Sequence, residues 1–469
     1  MATPDKYWEA REAKYDESWA KKKEELKQKG VAHVMGSYVD IHGRPKAKIV
    51  PIDKFESLMK GSELFTLAAL EGLGQDVPDD ECSVRPDLDA ITVIPWMENL
   101  AWAPGSLYFH GKPWPLDSRN VLKRQRERAA EKGWYMLMGI EPEHYLVRFE
   151  NGRVVPFYPN DKIGKVAYDV PLFMDAFPYV SQMTNYMKQL GWAPSSYDHE
   201  DGNSQFEIDW APSDCLKLSD QFTLFKMMAK HVAGTFGAQA TFLAKPFADR
   251  TGTGAHFNLS LGEIETRKNI FDDPSHQYNL SKIGHWFVGG ILKHAEALCA
   301  VLSPNVNSYK RLIGTGSASG HTWSPVYITF GRNNRSNMVR ISTMEGQWQK
   351  SGQRVEIRSA DGCVNPYLGS AAVLAAGLEG IEQKTDPGEN YEINLYEMSA
   401  EEQKKRGIRT LPRTLLQAVE AFEKDDLMKE AFGEALHKEF CNVKYAEWWD
   451  YHKTVSEWEI NKYIQVYDF

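Results

Sequence analysis

GIEPEHYLV, residues 139–147, sets Glu141 and Glu143 two positions apart in a stretch that otherwise reads as a strand. Side chains two apart on a strand share a face. Neighbouring carboxylates repel, so the pair either stands in water or has something positive to hold. Three further stretches pair one clean apolar face with one polar face. DHEDGNSQFEIDW (198–210) alternates Gln205, Glu207 and Asp209 with Phe206, Ile208 and Trp210. GTGAHFNLSLG (252–262) alternates His256, Asn258 and Ser260 with Phe257, Leu259 and Leu261. RVEIRS (354–359) alternates Arg354, Glu356 and Arg358 with Val355 and Ile357.

Any one of these polar faces could simply face water, as antiparallel sheets often do. Taken together they carry Glu, His, Gln, Asn and Arg and almost no Lys. Glu141, Glu143, Glu200, Glu207, His256 and Glu356 offer oxygen and imidazole donors suited to hard divalent ions. Arg354 and Arg358 flank Glu356, and guanidinium forks bind phosphate and carboxylate at two points. Metal-type carboxylates beside anion-type arginines describe a nucleotide–metal surface of the sort phosphoryl transfer needs. The sequence holds no Walker A motif and no kinase-type glycine-rich loop.

The 469 residues suffice for about two or three domains with a large core. With 42% hydrophobic and 25% charged residues, the composition is that of a soluble globular protein. A net charge of −9 argues against a broad nucleic-acid footprint, so an anionic substrate has to be met by local arginines. Cys82, Cys215, Cys299, Cys363 and Cys441 are scattered without metal-type spacing, which predicts free thiols in a reducing, cytoplasmic setting. No apolar run approaches the ~20 residues of a membrane span. The N-terminal stretch is too charged for a signal peptide and reads as a polar helix ending at Gly30.

Residues 31–52 read as a hairpin turning at Asp40-Ile41-His42-Gly43. The Pro-, Gly- and Trp-rich stretch 94–118 reads as a domain junction. Helices are predicted over 118–132, from Ser219, and over 284–300, 366–381 and 412–424.

Six stretches in order resemble the glutamine synthetase superfamily: GIEPEHYL, DHEDGNSQFEI, KPFADRTGTGAHFNLSL, SPNVNSYKRL, RNNRSNMVRI and RVEIRSADGCVNPYLGSAAVLAAGLEGI. The resemblance covers most of residues 30–460. It implies an α+β fold: a charged N-terminal helix (1–30), a small β-grasp-like N-terminal domain (31–112), and a large catalytic domain (113–469). The catalytic domain would hold an open antiparallel barrel flanked by helices. It implies ATP, two to three Mg2+ or Mn2+ ions per site, L-glutamate and an amine as substrates, and sites between subunits of a ring-shaped homo-oligomer, commonly a dodecamer of two hexamers. Neither nucleic acid nor membrane is expected as a partner. By the same resemblance Glu143, Glu200 and Glu207 ligate the metal near glutamate, and Glu141, His256 and Glu356 the metal near the ATP phosphates. The cations then cancel the repulsion between Glu141 and Glu143. Arg311 resembles the residue that grips the α-carboxylate, Arg358 the one near the side-chain carboxylate, and Gly252 the backbone at the amino group. Arg335 and Arg340 correspond to residues that stabilise the transferring phosphoryl group, with Arg354, Ser260 and Asn258 on the nucleotide side.

Several positions depart from the family pattern. GTGSASGHTWSP (314–325) reads as a lid, and Trp323 stands where ammonia-using members end that lid with a glutamate. Tryptophan can neither pair with ammonium as a salt bridge nor act as a base. Two readings stand: Trp323 packs the lid, or it walls an amine pocket suited to an alkyl- or arylamine. HED-x-N-x-QFE together with TWSP is most similar to the γ-glutamylamide synthetase branch. Asp40 matches the aspartate that reaches a neighbouring subunit's amine site; it also makes a good turn residue. Asn258 stands in place of a usual histidine, and Thr251 in place of an asparagine. Tyr396 matches a position that some bacterial relatives modify, and reads here as an exposed loop tyrosine. A plain glutamine synthetase, a metal-dependent hydrolase and a non-catalytic relative are the competing readings. The surplus of arginines speaks against the hydrolase, and the full ligand set against the non-catalytic relative.

Overall fold

The computed structural model describes residues 15–314, 323–342 and 352–467. Helix α1 (Glu17–Gln28) starts on Asp16, whose carboxylate accepts from Ser18 N–H, and it buries Trp19 and Leu26. The first fourteen positions of the expected charged helix lie outside the described residues. Strands β1 (His33–Val39) and β2 (Pro45–Pro51) form the expected hairpin, with Val39 opposite Pro45. Asp40 builds its turn: Oδ1 accepts from His42 N–H (3.0 Å) and Arg44 N–H (2.9 Å).

β3 (Leu64–Phe65), β4 (Cys82–Pro86) and β5 (Leu100–Phe109) complete the path β2-β1-β5-β4-β3. β1 and β5 run parallel, giving a small mixed sheet of grasp-like form. Much of the stretch read as a junction is therefore the central strand β5. Its Gly105 is required by packing, because a Cβ there would lie 2.5 Å from Arg85 O. Helix α2 (Ser118–Glu131) begins on Asp117, which accepts from Asn120 N–H (2.7 Å) and from Leu107 N–H (3.1 Å). Burial pushes the Asp117 carboxyl up to about 6. Arg119 Nη2 donates to Asp87 and Asp220 at 2.9 Å each, tying the end of β4 to the helices behind the second sheet.

The second sheet is built on β6 (Trp134–Glu150), β7 (Pro194–His199), β8 (Gln205–Trp210), β9 (Ala255–Glu263), β10 (Tyr327–Arg332), β11 (Asn337–Ser342) and β12 (Arg354–Ile357). Its order is β7-β8-β6-β9-β12-β11-β10. Pairing is antiparallel along this path except at the edge, where β10 and β11 run parallel. The apolar faces of the four alternating stretches are buried: Phe206, Ile208, Phe257, Leu259, Val355 and Ile357 are each 0% exposed. The polar faces are largely enclosed: Glu143, His256, Asn258, Ser260 and Glu356 are buried, and Glu141, Glu207, Asp209 and Arg354 are half-buried.

Helices α3 (Val170–Gln189), α4 (Cys215–Thr235), α5 (Lys282–Lys293), α6 (Ala295–Leu302), α7 (Pro366–Gln383) and α8 (Leu415–Lys424) surround this sheet. α4 begins four residues before Ser219 because Asp214 caps it. The helix expected over 284–300 is two helices, broken at His294. Helices α9 (Glu434–Lys453) and α10 (Glu457–Tyr467) follow. No helix among the described residues is long and apolar enough to cross a membrane, and no disulfide forms among them.

Candidate metal and phosphoryl-transfer site

Strand register assembles the site. Glu207 lies opposite Asp198 on one side and opposite Glu143 on the other. His256 lies opposite Glu141. Glu356 lies opposite Asn258 on one flank and Arg340 on the other. Two trios result, Glu141–His256–Glu356 and Glu143–Glu200–Glu207, each with donor atoms within 4.8 Å of one another. They are the same trios that the resemblance implies.

A cavity of about 550 Å³ is lined by members of both trios together with Arg311, Arg335, Arg340 and Arg358. His256 Nδ1 is 3.2 Å from Glu141 Oε2 and 3.6 Å from Glu356 Oε1. Its Nε2 is 4.0 Å from Glu143 Oε1. Glu356 pairs through Oε1 with Arg358 and through Oε2 with Arg340, each at 2.5 Å. Burial alone would raise its pKa, but Arg358, His256 and Arg340 bring it down to about 2.

Among the described residues no arginine or lysine pairs directly with the other trio, which has only His256 near Glu143. Burial, then the Glu143 and Asp198 charges, push Glu200 well up; burial and Asp209 do the same to Glu207. Asp209, beside them, is pushed up to about 8 by burial and by the Glu141 and Asp198 charges. Crowded carboxylates plus one imidazole fit a hard divalent cation, which would offset the burial and repulsion behind these shifts.

Asp161 shapes the loop that carries Glu200. It meets His199 Nε2 at 2.9 Å and accepts from Asn203 Nδ2 at 2.8 Å. Close approach fixes the glycines of the 251–254 loop. A Cβ on Gly252 would lie 2.7 Å from Arg311 Cγ, and one on Gly254 would lie 2.8 Å from Glu143 Oε1. Thr251 Oγ1 donates to Asp201 Oδ2 at 2.9 Å. Arg311 is buried and spends donors on the Ser359 and Arg358 carbonyls, at 3.2 and 3.0 Å. Arg358 Nη2 donates to Trp323 O at 3.0 Å, which sets Trp323 on the cavity lip, 44% exposed.

Arg354, Asn258 and Ser260 do not line the cavity. Arg354 Nε donates to Asn258 Oδ1 (2.8 Å), and Asn258 Nδ2 donates to Glu141 Oε1 (2.9 Å), so this pair supports Glu141 from behind. Asp40 is buried in its turn, with Lys46 Nζ at 3.3 Å, and does not line this chain's cavity. The Gly- and Ser-rich part of the lid, 315–322, lies outside the described residues.

Tyr396 is not an exposed loop tyrosine. It is half-buried, and its hydroxyl donates to Ser324 O beside Trp323. Sequence reading also missed Asp161, Asp198, Lys245 and Tyr168. Asp198, Lys245 and Tyr168 line the cavity. Tyr168 has φ 65°, an unusual conformation for a bulky residue. Its surroundings, DKIGKVAYDVP, alternate with no period that would have singled it out.

The model of the glutamine synthetase catalytic domain matches residues 115–463. The chain is 37% identical over 446 residues to a glutamate–methylamine ligase of Methyloversatilis universalis, covering 94% of this chain and 98% of that protein. It is 36% identical over 439 residues to a glutamine synthetase of Rhizobium leguminosarum bv. phaseoli, covering 93% and 98%. A solved structure described as a GmaS/ADP complex superposes with a TM-score of 0.86 at 36% identity, covering 94% of this chain and 99% of that one.

Proposed function

Because the chain belongs to the glutamine synthetase family, we propose that it is an ATP-dependent ligase that joins the γ-carboxylate of L-glutamate to an amine. The reaction runs through a γ-glutamyl phosphate and releases ADP and phosphate. The observation that carries this reading is one cavity lined by five members of two carboxylate-rich trios beside arginines, with Glu356 buried behind its wall. In-line phosphoryl transfer needs positioning and charge neutralisation more than covalent help.

Glu143, Glu200 and Glu207 hold one divalent ion, Mg2+ or Mn2+, and Glu141, His256 and Glu356 another. When bound, the ions neutralise charge on the transferring group. Arg311 takes the α-carboxylate of glutamate, Gly252 faces its amino group, and Arg358 lies by its side chain. Arg335 and Arg340 meet the phosphoryl group. Arg354, Asn258 and Ser260 support the nucleotide end. The division of the chain at about residue 113 separates a small N-terminal unit from the catalytic one, and the working form is a cytoplasmic ring-shaped homo-oligomer. Asp40 supports that form: it lies off its own chain's cavity and is useful to catalysis only where a neighbour brings it to one.

The amine is a small organic amine, on the ground that the aromatic Trp323 stands at the cavity lip. Ammonia is the competing reading, favoured by the relatives named glutamine synthetase. ADP release with glutamate, ATP and Mg2+ across ammonia, methylamine, ethylamine, isopropylamine, ethanolamine and aniline separates the two. Higher kcat/KM for an organic amine is the expected result. A clear preference for ammonia makes the enzyme a glutamine synthetase, and no stimulation by any amine rejects the ligase reading.

A further inference from the structure

We propose that Gln205 is a positioning residue that fixes the Glu143 carboxylate and the Gly252 carbonyl against each other, setting an ion site and the substrate loop in one register. Gln205 opens β8 opposite Tyr145 of β6 and is 0% exposed. Its amide nitrogen donates to Glu143 Oε2 at 2.9 Å and to Gly252 O at 3.0 Å, which uses both of its N–H groups. Flipping the amide would set its oxygen against two acceptors, so the chemistry fixes the orientation.

The backbone N–H of Gly254 also donates to Glu143 Oε2, at 2.8 Å. Both donors fall on the same oxygen. Oε1, 4.0 Å from His256 Nε2, is the atom left for a cation. A ligating carboxylate held on its other oxygen is the usual way a supporting residue tunes a metal site. Tyr145, directly across the ladder from Gln205, donates its hydroxyl to Thr251 O at 2.7 Å. Two paired residues thus hold two successive carbonyls of the loop whose Gly252 packs on Arg311. Gly202 makes room for both, because a Cβ there would lie 2.6 Å from Gln205 Oε1 and closer still to Tyr145 Oη. A glutamate at 205 keeps the shape but turns a donor into an acceptor facing Glu143. A methionine keeps the volume and donates nothing.

The ion-site half of this inference stands on geometry alone; the glutamate half rests on the proposed ligase activity. The experiment titrates full-length wild type, Gln205→Glu and Gln205→Met with Mn2+ alone, followed by electron paramagnetic resonance. It then measures KM for glutamate and for the amine, with melting temperatures as a fold check. One class of Mn2+ site should weaken about 10–100-fold in both variants. Glutamate KM should rise while amine KM and the second class of site hold. A folded Gln205→Met chain with the wild-type Mn2+ isotherm and wild-type glutamate KM overturns the proposal. So does failure of both variants to fold, since Gln205 would then be a core residue. If wild type ligates no amine, the ligase reading falls, while the Mn2+ isotherms still decide the role of Gln205 at the ion site.

Discussion

Glu356 is a fully buried carboxylate between two guanidinium groups and an imidazole, so its charge is what keeps Arg340, Arg358 and His256 together. Glu356→Gln keeps the shape and leaves the two arginines facing each other. ATP-dependent turnover should vanish, and stability should fall by about 3–5 kcal/mol, read from chemical denaturation. The folded pKa of Glu356 is lowered from 4.5 to about 2. Its contribution to stability is therefore complete above pH 4.5 and is lost as pH falls toward 2. Acid unfolding of wild type should be steeper over that window than acid unfolding of the Gln variant. At the lip, Trp323→Glu should move selectivity from methylamine toward ammonia by about 10–200-fold in relative kcat/KM, the range one small apolar contact supplies. An unchanged ratio would mean Trp323 only packs. Five of the six metal-type residues were legible because a two-residue period puts them on strand faces, and register does the rest; Glu200 lies on the loop after β7, outside any such face. The role of Gln205 was not legible. Its partner carbonyl comes from a loop 47 residues away, and no local pattern encodes that meeting.

At the scale of elements, the apolar spacing over 284–300 predicts one helix, and the structure breaks it at His294. Spacing reports which face is apolar. It does not report that a side chain in mid-run is claimed from two sides. His294 Nε2 meets Glu379 of α7 at 2.7 Å, and Nδ1 meets Asp425 at 2.6 Å. Lys293 also reaches Glu379, at 2.7 Å. Burial opposes the imidazolium, but bonds to Asp425 and Glu379 outweigh it and raise its pKa above 6.5. A raised pKa contributes stability that is whole below the ordinary value and lost as pH rises through the folded one. The melting temperature of wild type should therefore decline as pH rises above 6.5. His294→Ala should flatten that decline and cost about 2–3 kcal/mol below it, for the loss of two charge-assisted hydrogen bonds. Equal slopes in the two proteins would remove His294 as the cause. The parallel edge pair β10–β11 escapes sequence reading for a similar reason: alternation marks a strand but carries no direction.

For the whole molecule, the single chain leaves two things open. Asp40 sits in a turn away from its own cavity. Helix α10 stands apart with Trp458, Ile460, Tyr463, Ile464, Val466 and Tyr467 all exposed. So many large apolar side chains exposed on one helix suit a contact with another surface. In the proposed ring-shaped homo-oligomer, copies of the same chain would satisfy both features, with Asp40 serving a neighbour's amine site and α10 covered between subunits. The resemblance raised the role of Asp40 from sequence alone, but the exposed apolar side chains of α10 could not be weighed before the fold placed them. The two parts of this argument separate experimentally. Deleting residues 454–469 should reduce the size of the assembly in analytical ultracentrifugation. Asp40→Asn should leave the size unchanged and depress amine-dependent turnover. The decisive species is a single copy: if one sediments alone and still ligates an amine at the full rate, no neighbour supplies a group to the site, and Asp40 does nothing beyond holding its turn.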